Sequence, residues 1–233
     1  MYNFAHKVVA DLMAKKLSVP KNLAHLSTDF KGNKVDMYSY AWHSKQFRLI
    51  RMTVLMIPDK LETFNFVLYP KHHFEAPVFA SDFVFANRKL RIGMIDWMPI
   101  FPHEPKYIEQ WTFPLAPFYQ KALAIAPQYD RKLSWSTQFT SKYACLVTGI
   151  NEEVMPALVK LWQDYLSNYL TNTAKMEKVD STRQAEVQNW HKAYNKAHLE
   201  VENKRNPYMI YFGQELGKRY NQEFLFSDDF GKN

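Results

Sequence analysis

Residues 46–97 read QFRLIRMTVLMIPDKLETFNFVLYPKHHFEAPVFASDFVFANRKLRIGMIDW, and how this run pairs with itself decides the fold. Stretches rich in β-branched and aromatic residues occupy 46–57, 61–69, 77–85 and 90–97, and VDMYSYAWH at 35–43 precedes them. The joints Ser44-Lys45, Pro58-Asp59-Lys60 and Ala86-Asn87-Arg88-Lys89 are short. Parallel strands need a crossover of about a dozen residues or more, so these links predict an antiparallel meander. Only the link from Pro70 to Ala76, with Lys71, His72 and His73, is longer.

On the N-terminal side, Phe4, Val8, Val9, Leu12 and Met13 recur at helical spacing, followed by a polar connector containing Pro20 and Gly32. On the C-terminal side, prolines at 99, 102, 105, 114, 117 and 127 predict loops and short helices over 98–128. SKYACLVTG at 141–149 reads as one more strand, with a partner expected in 133–139. Three helical stretches follow. The first starts at Asn151 as cap, with Glu152 and Glu153 in its first turn and Val154, Leu158, Leu161, Trp162 and Tyr165 inward. The second starts at Asp180 with Trp190, Tyr194, Ala197 and Val201 on one stripe, and the third starts at Pro207. Strands first and helices after give an α+β class, an antiparallel sheet covered by helices. No repeat or composition break divides residues 1–233, which reads as a single domain.

Composition narrows the chemistry. A formal charge of +7 favours acidic partners, but the basic residues are scattered and form no nucleic-acid arm. Cys145 is the only cysteine, so the chain holds no internal disulfide and cannot build an iron–sulfur cluster or Cys-rich zinc site. None of the six glycines forms a phosphate-binding pattern, and no GxSxG is present. His72 and His73 read as a loop-exposed pair rather than a metal site. No segment approaches the roughly 20 apolar residues of a membrane span, and the N-terminus lacks a secretory pattern. A soluble, cytoplasmic protein is expected, monomeric, with no resident cofactor and no metal.

Asp82 is the sharpest residue. In a strand over 77–85 it shares a face with Val78, Ala80 and Val84, where an unpaired carboxylate is costly. Desolvation there would raise its pKa and make it a proton donor; a bulge, or pairing with Arg51 or Arg91, is the structural alternative. Asn65 lies on the preceding strand, on the face of Val67 and Tyr69, either as a pocket amide or as a satisfied buried one. Asp96 reads as a turn cap. Asn206, just before Pro207, reads first as a helix N-cap. Ser141, Lys142 and Arg205 could bind an acidic group, with solvated side chains as the alternative for the two cations.

Three blocks in order, FNFVLYPKHHFEAPVFASDFVF (64–85), RKLRIGMIDWMP (88–99) and RNPYMIYFGQELGKRYNQEFLF (205–226), resemble the ferredoxin-dependent bilin reductases. The resemblance implies a three-layer α/β/α sandwich with a central antiparallel sheet, and biliverdin IXα held between sheet and C-terminal helices. It implies single electrons from an acidic [2Fe-2S] ferredoxin, protons from the protein, and radical intermediates. The central family aspartate falls on Asp82. Asn65 matches a position that is Asn in phycoerythrobilin-forming members, and the strand around Met52 and Thr53 lacks the Glu of the phycocyanobilin-forming enzyme. Asn206 stands where most phycoerythrobilin-forming members have a second Asp, and Asn cannot deliver a proton as a carboxylic acid does. The short length and Asn206 resemble phage-type reductases, implying four electrons to phycoerythrobilin via 15,16-dihydrobiliverdin in a phototroph or phage-infected host. The alternatives are a stop at 15,16-dihydrobiliverdin, a non-catalytic bilin or haem carrier, and a basic nucleic-acid-binding protein. Ser141, Lys142 and Arg205 are the candidates for the bilin propionates.

Overall fold

The computed structural model describes residues 1–126, 138–202 and 206–230. Its eight strands are β1 (Lys15–Lys16), β2 (His25–Phe30), β3 (Asn33–His43), β4 (Phe47–Ile57), β5 (Leu61–Pro70), β6 (Val78–Ala86), β7 (Lys89–Met98) and β8 (Cys145–Val147). They form one sheet in the order β1-β3-β4-β5-β6-β7-β8, with β2 also paired to β3, and every pairing is antiparallel. The expected meander is therefore present.

Its turns follow from local chemistry. Asn87 and Arg88 both take positive φ, which closes the two-residue β6–β7 hairpin in the sense that matches strand twist. Lys31 and Gly32 do the same between β2 and β3. That hairpin lies within what the sequence reads as a polar connector. HLSTDF is largely solvated, so its apolar signal is thin, and the turn residues alone mark it. The strand expected at 141–149 shrinks to three residues because Ser141 is held in a turn by Asp96. Of its proposed partner segment, residues 133–137 lie outside the described residues, and 138–140 form a turn and bend.

Helices cover both faces. On one side lie α1 (Tyr2–Asp11), α4 (Ala116–Ile125) and α5 (Met155–Thr173); α2 (Lys21–Ala24) and α3 (Pro105–Tyr107) are short connectors. Trp162 of α5 packs edge-on against Phe64 and Phe66 and donates its indole N–H to Ser81 Oγ at 3.0 Å. On the other side lie α6 (Ser181–Glu202), α7 (Pro207–Phe212), α8 (Gln214–Tyr220) and a π-helical turn, Asn221–Leu225. The two covered faces explain why β4 reads as an almost unbroken apolar run: both sets of alternating side chains are buried. A start for α6 at Asp180 is borne out, since its carboxylate accepts from Arg183 N–H at 2.8 Å. Asn151 makes no side-chain cap, and a 3-10 turn over Glu152–Val154 precedes α5. The third helical stretch is broken at Gly213, whose φ of 90° lets α7 turn into α8.

Candidate active site

The face of the sheet under α6, α7 and α8 carries Arg51 on β4, Asn65 on β5, and Asp82 and Asp96 on β6 and β7. Register brings them together: Asn65 lies directly opposite Asp82, and Val67, two residues on, is opposite Arg51. Asn65 bridges the pair. Its Oδ1 accepts from an Arg51 guanidinium N–H at 3.1 Å, and its amide N–H₂ serves the Asp82 carboxylate. A second Arg51 N–H donates to the Leu225 carbonyl at the end of the π-helical turn, and the guanidinium sits 5.6 Å from the Phe226 ring centre. Arg51 thus ties the C-terminal segment to the sheet while its charge faces Asp82.

Asp82 lies deep in the molecule, yet part of its residue surface stays open, as does that of Asn65 and Met94 beside it. That combination describes an acid at the floor of a crevice. Burial is the largest effect on its pKa and raises it; the Asn65 hydrogen bond and the Arg51 charge oppose the rise. Asp82 is thus close to Arg51, the structural alternative of the sequence reading, while burial moves its pKa upward, the direction a proton donor needs.

The helices form the opposite wall. Tyr220 is fixed by Ser39 Oγ at 2.8 Å and Thr53 Oγ1 at 3.2 Å, so Thr53 anchors α8 to the sheet. From α6, His191, Tyr194, His198 and Glu202 descend at helical spacing. Burial keeps His191 and His198 neutral, His198 falling to about 3. It pushes Glu202 up to about 7, with the negative charge of Asp82 adding to the rise. The sequence reading places Trp190, Tyr194, Ala197 and Val201 inward and misses His191, His198 and Glu202. Their own 3.6-residue spacing was the available signal, masked by the Trp and Ala beside them.

The remaining candidates separate. Asn206 is 3 % exposed, and its amide is used locally: Oδ1 accepts from Met209 N–H at 2.8 Å and Nδ2 donates to the Glu202 carbonyl at 3.0 Å. It is the N-cap of α7, as the pattern first suggests. Ser141 gives its backbone N–H and hydroxyl to Asp96, at 2.8 and 2.5 Å, and accepts from Tyr143 N–H. Asp96 is fully buried and its pKa is pushed up to about 6 by burial, against the Ser141 bonds. Lys142 is exposed and lies over the Phe113 and Tyr143 rings, near 5 Å from each centre. Arg205 lies outside the described residues. His72 and His73 sit in the turn after β5, and no cluster of three or more metal-ligating side chains occurs among the described residues.

A cavity of about 1060 Å³ opens on the opposite face, lined by Tyr2, Tyr38, Tyr40, Phe64, Met155 and Lys160 among others. It contains none of the candidate residues. On the Asp82 face, by contrast, ionisable groups converge from the sheet and from the C-terminal helices.

Residues 3–227 match the family described as ferredoxin-dependent bilin reductase. The chain belongs to that family. It is an oxidoreductase. A 15,16-dihydrobiliverdin:ferredoxin oxidoreductase from Nostoc punctiforme is 25 % identical over 211 residues, 90 % of this chain and 86 % of that protein. A Gloeobacter violaceus protein of the same name is 22 % identical, over 95 % of this chain and 91 % of its own length. In fold, the chain is similar to tomato phytochromobilin synthase, solved in complex with biliverdin: TM-score 0.80, 18 % identity, covering 97 % of this chain and 82 % of that one. That likeness agrees with the sheet and flanking helices of this bilin reductase. Among the described residues no helix is long and apolar enough to cross a membrane.

Proposed function

We propose that the chain acts over its whole length as one domain that reduces biliverdin IXα, taking electrons singly from an acidic [2Fe-2S] ferredoxin. The observation that carries this reading is Asp82, a deep carboxyl biased towards its protonated form at the floor of an open crevice. A one-electron donor leaves the substrate as a radical anion, which needs a proton before the next electron arrives. Asp82 supplies that proton, and the Arg51 charge, relayed through Asn65, stabilises the carboxylate left behind. Each two-electron reduction consumes two electrons and two protons. The product of the first is 15,16-dihydrobiliverdin, and a second gives phycoerythrobilin.

The four-electron route is supported by Asn65 opposite Asp82, since Asn65 stands at the position that the resemblance gives as Asn in phycoerythrobilin-forming members. The names of the relatives favour a second reading, a stop at 15,16-dihydrobiliverdin. Asn206 acts by holding the α6–α7 junction, because both ends of its amide are engaged. Lys142 remains the exposed candidate for a bilin propionate, and Ser141 holds the turn that presents it. The net charge of +7 supports electrostatic capture of an acidic ferredoxin.

Asp82→Asn is the test. It keeps size and hydrogen bonding but removes the acid. Biliverdin added to the variant should still shift its visible spectrum, while anaerobic turnover with reduced ferredoxin falls by about 10²-fold or more. Turnover equal to the parent refutes the assignment of Asp82, and a parent that neither binds nor reduces biliverdin refutes the function.

A further inference from the structure

Buried polar groups gather beyond the crevice, where the end of β5 meets α6 and the C-terminal segment. Tyr69 and His191 are each 1 % exposed and Asn195 is 2 % exposed. Yet the Tyr69 hydroxyl, both ring nitrogens of His191 and the Asn195 carbonyl oxygen meet no partner among the described residues. Arg48 Nε is a fifth such atom, and its guanidinium lies 4.7 Å from the centre of the Tyr69 ring. Polar atoms this deep are met by water, and here donors and acceptors stand together. Asn195 Nδ2 donates to Asp228 at 2.7 Å, which closes one side.

The cluster continues at both ends. Outward, the His191 ring is 5.2 Å from that of His72, half-buried in the turn after β5. Inward, ring centres run from His191 to Tyr69 at 6.0 Å, from Tyr69 to Tyr194 at 6.3 Å and from Tyr194 to His198 at 4.3 Å. His198 stacks on Phe226, the ring beside which the Arg51 guanidinium sits, and Arg51 bonds Asn65 opposite Asp82. A row of imidazoles and hydroxyls thus joins the surface turn to the floor of the crevice. Each member can accept a proton and release one, a neutral imidazole by exchanging tautomers. Burial and the Arg48 charge keep His191 in that neutral form.

We propose that this row, with water at the orphaned atoms, carries solvent protons to Asp82 while a bilin covers the crevice. This rests on the bilin reductase reading above. Once Asp82 has protonated the substrate, its carboxylate lies beneath a flat ligand, and the next proton must come from behind. That proton enters at His72, passes along His191, Tyr69, Tyr194 and His198, and crosses the crevice floor by water to form an O–H bond on Asp82. Each member of the row ends with the protons it began with, and no electrons move along it. The charged and titratable groups around His191 are His72, Arg48 and Tyr69, with Asp228 behind Asn195.

Tyr69→Phe tests the row by removing one oxygen. Because that oxygen engages no described residue, Tm should stay within about 2 °C of the parent's, and biliverdin affinity within about twofold. In anaerobic single turnover with reduced ferredoxin, the first proton is already on Asp82, so the first reduced intermediate should form at the parental rate. Later steps should slow by about tenfold or more, with a larger solvent deuterium isotope effect. His191→Ala should show the same split, and added imidazole should restore its later steps saturably. Later steps at the parental rate in Tyr69→Phe overturn the proposal. Equal slowing of first and later steps, or no rescue by imidazole, also overturns it and assigns these residues to packing. A parent that neither binds nor reduces biliverdin is a different failure, that of the function itself.

Discussion

Replacing Arg51 by methionine removes the charge while keeping most of the buried length, so it asks what the guanidinium contributes. Arg51 is 3 % exposed and donates to the Leu225 carbonyl and to Asn65 Oδ1. Leu225 is itself 5 % exposed, so its orphaned carbonyl should cost about 1–3 kcal/mol. Asn65 borders the crevice, where water can replace the lost donor at little cost. Losing the contact with the Phe226 ring adds about 0.5–1 kcal/mol. Against these stands the relief of no longer desolvating a guanidinium. Asp82 would be left without its facing cation, but it can escape by taking a proton. The net loss is then about 2–3 kcal/mol, or about 4–12 °C in Tm for a chain of this size. The pH sign is fixed as well. Asp82 has its folded-state pKa raised, so its contribution to stability is full below its unfolded pKa and is lost as pH rises through the folded value. Without Arg51 that pKa climbs further, and the loss moves to higher pH. Thermal melts of the four members of the Arg51→Met, Asp82→Asn cycle measure this, with a coupling of about 0.5–3 kcal/mol expected because both residues hold Asn65. An Arg51→Met protein melting within about 1 °C of the parent, with no coupling, would refute the reasoning.

Asp96→Asn should flatten the pH dependence of stability. The Asp96 pKa rises from 3.8 to about 6 on folding, so the folded state binds the extra proton and stability declines between those values. Denaturant titrations of the parent from pH 4 to about 6 should show a slope more negative than the variant's by up to about 1.4 kcal/mol per pH unit; equal slopes contradict it. Gly217→Ala should pry α8 from α7, because a Cβ there would meet Met209 Cγ at 2.5 Å and its backbone N and Cα at 2.7 Å. Backbone cannot yield as a side-chain tip does, so a loss of about 1–3 kcal/mol is expected by thermal melt, with weakened biliverdin binding; an unchanged Tm and affinity count against it.

Much of this protein is legible without coordinates wherever one strand and its neighbour carry the information. Two-residue alternation puts Asp82 on the face of Val78, Ala80 and Val84 and Asn65 on the face of Val67 and Tyr69; the two share one floor if β5 and β6 pair across the longer Pro70–Ala76 link, and they do. Asn206 before Pro207 announces a helix cap, and it caps a helix. These are local facts, set by backbone periodicity and by which dihedrals a residue tolerates. The wall above that floor is different in kind. In α6, mostly polar, Trp190, Tyr194 and Ala197 pack inward as the sequence stripe predicts, and His191 and His198 are buried beside them; only packing against the sheet shows how wide that buried face is. The same packing sets Arg51 against Leu225 and stacks His198 on Phe226. Sequence alone determined that a single acid would sit in an apolar row of the sheet. Tertiary structure decided which cation and which amide steady it, because a pKa is set by all the neighbours of a buried group, and most of those neighbours are remote in the chain.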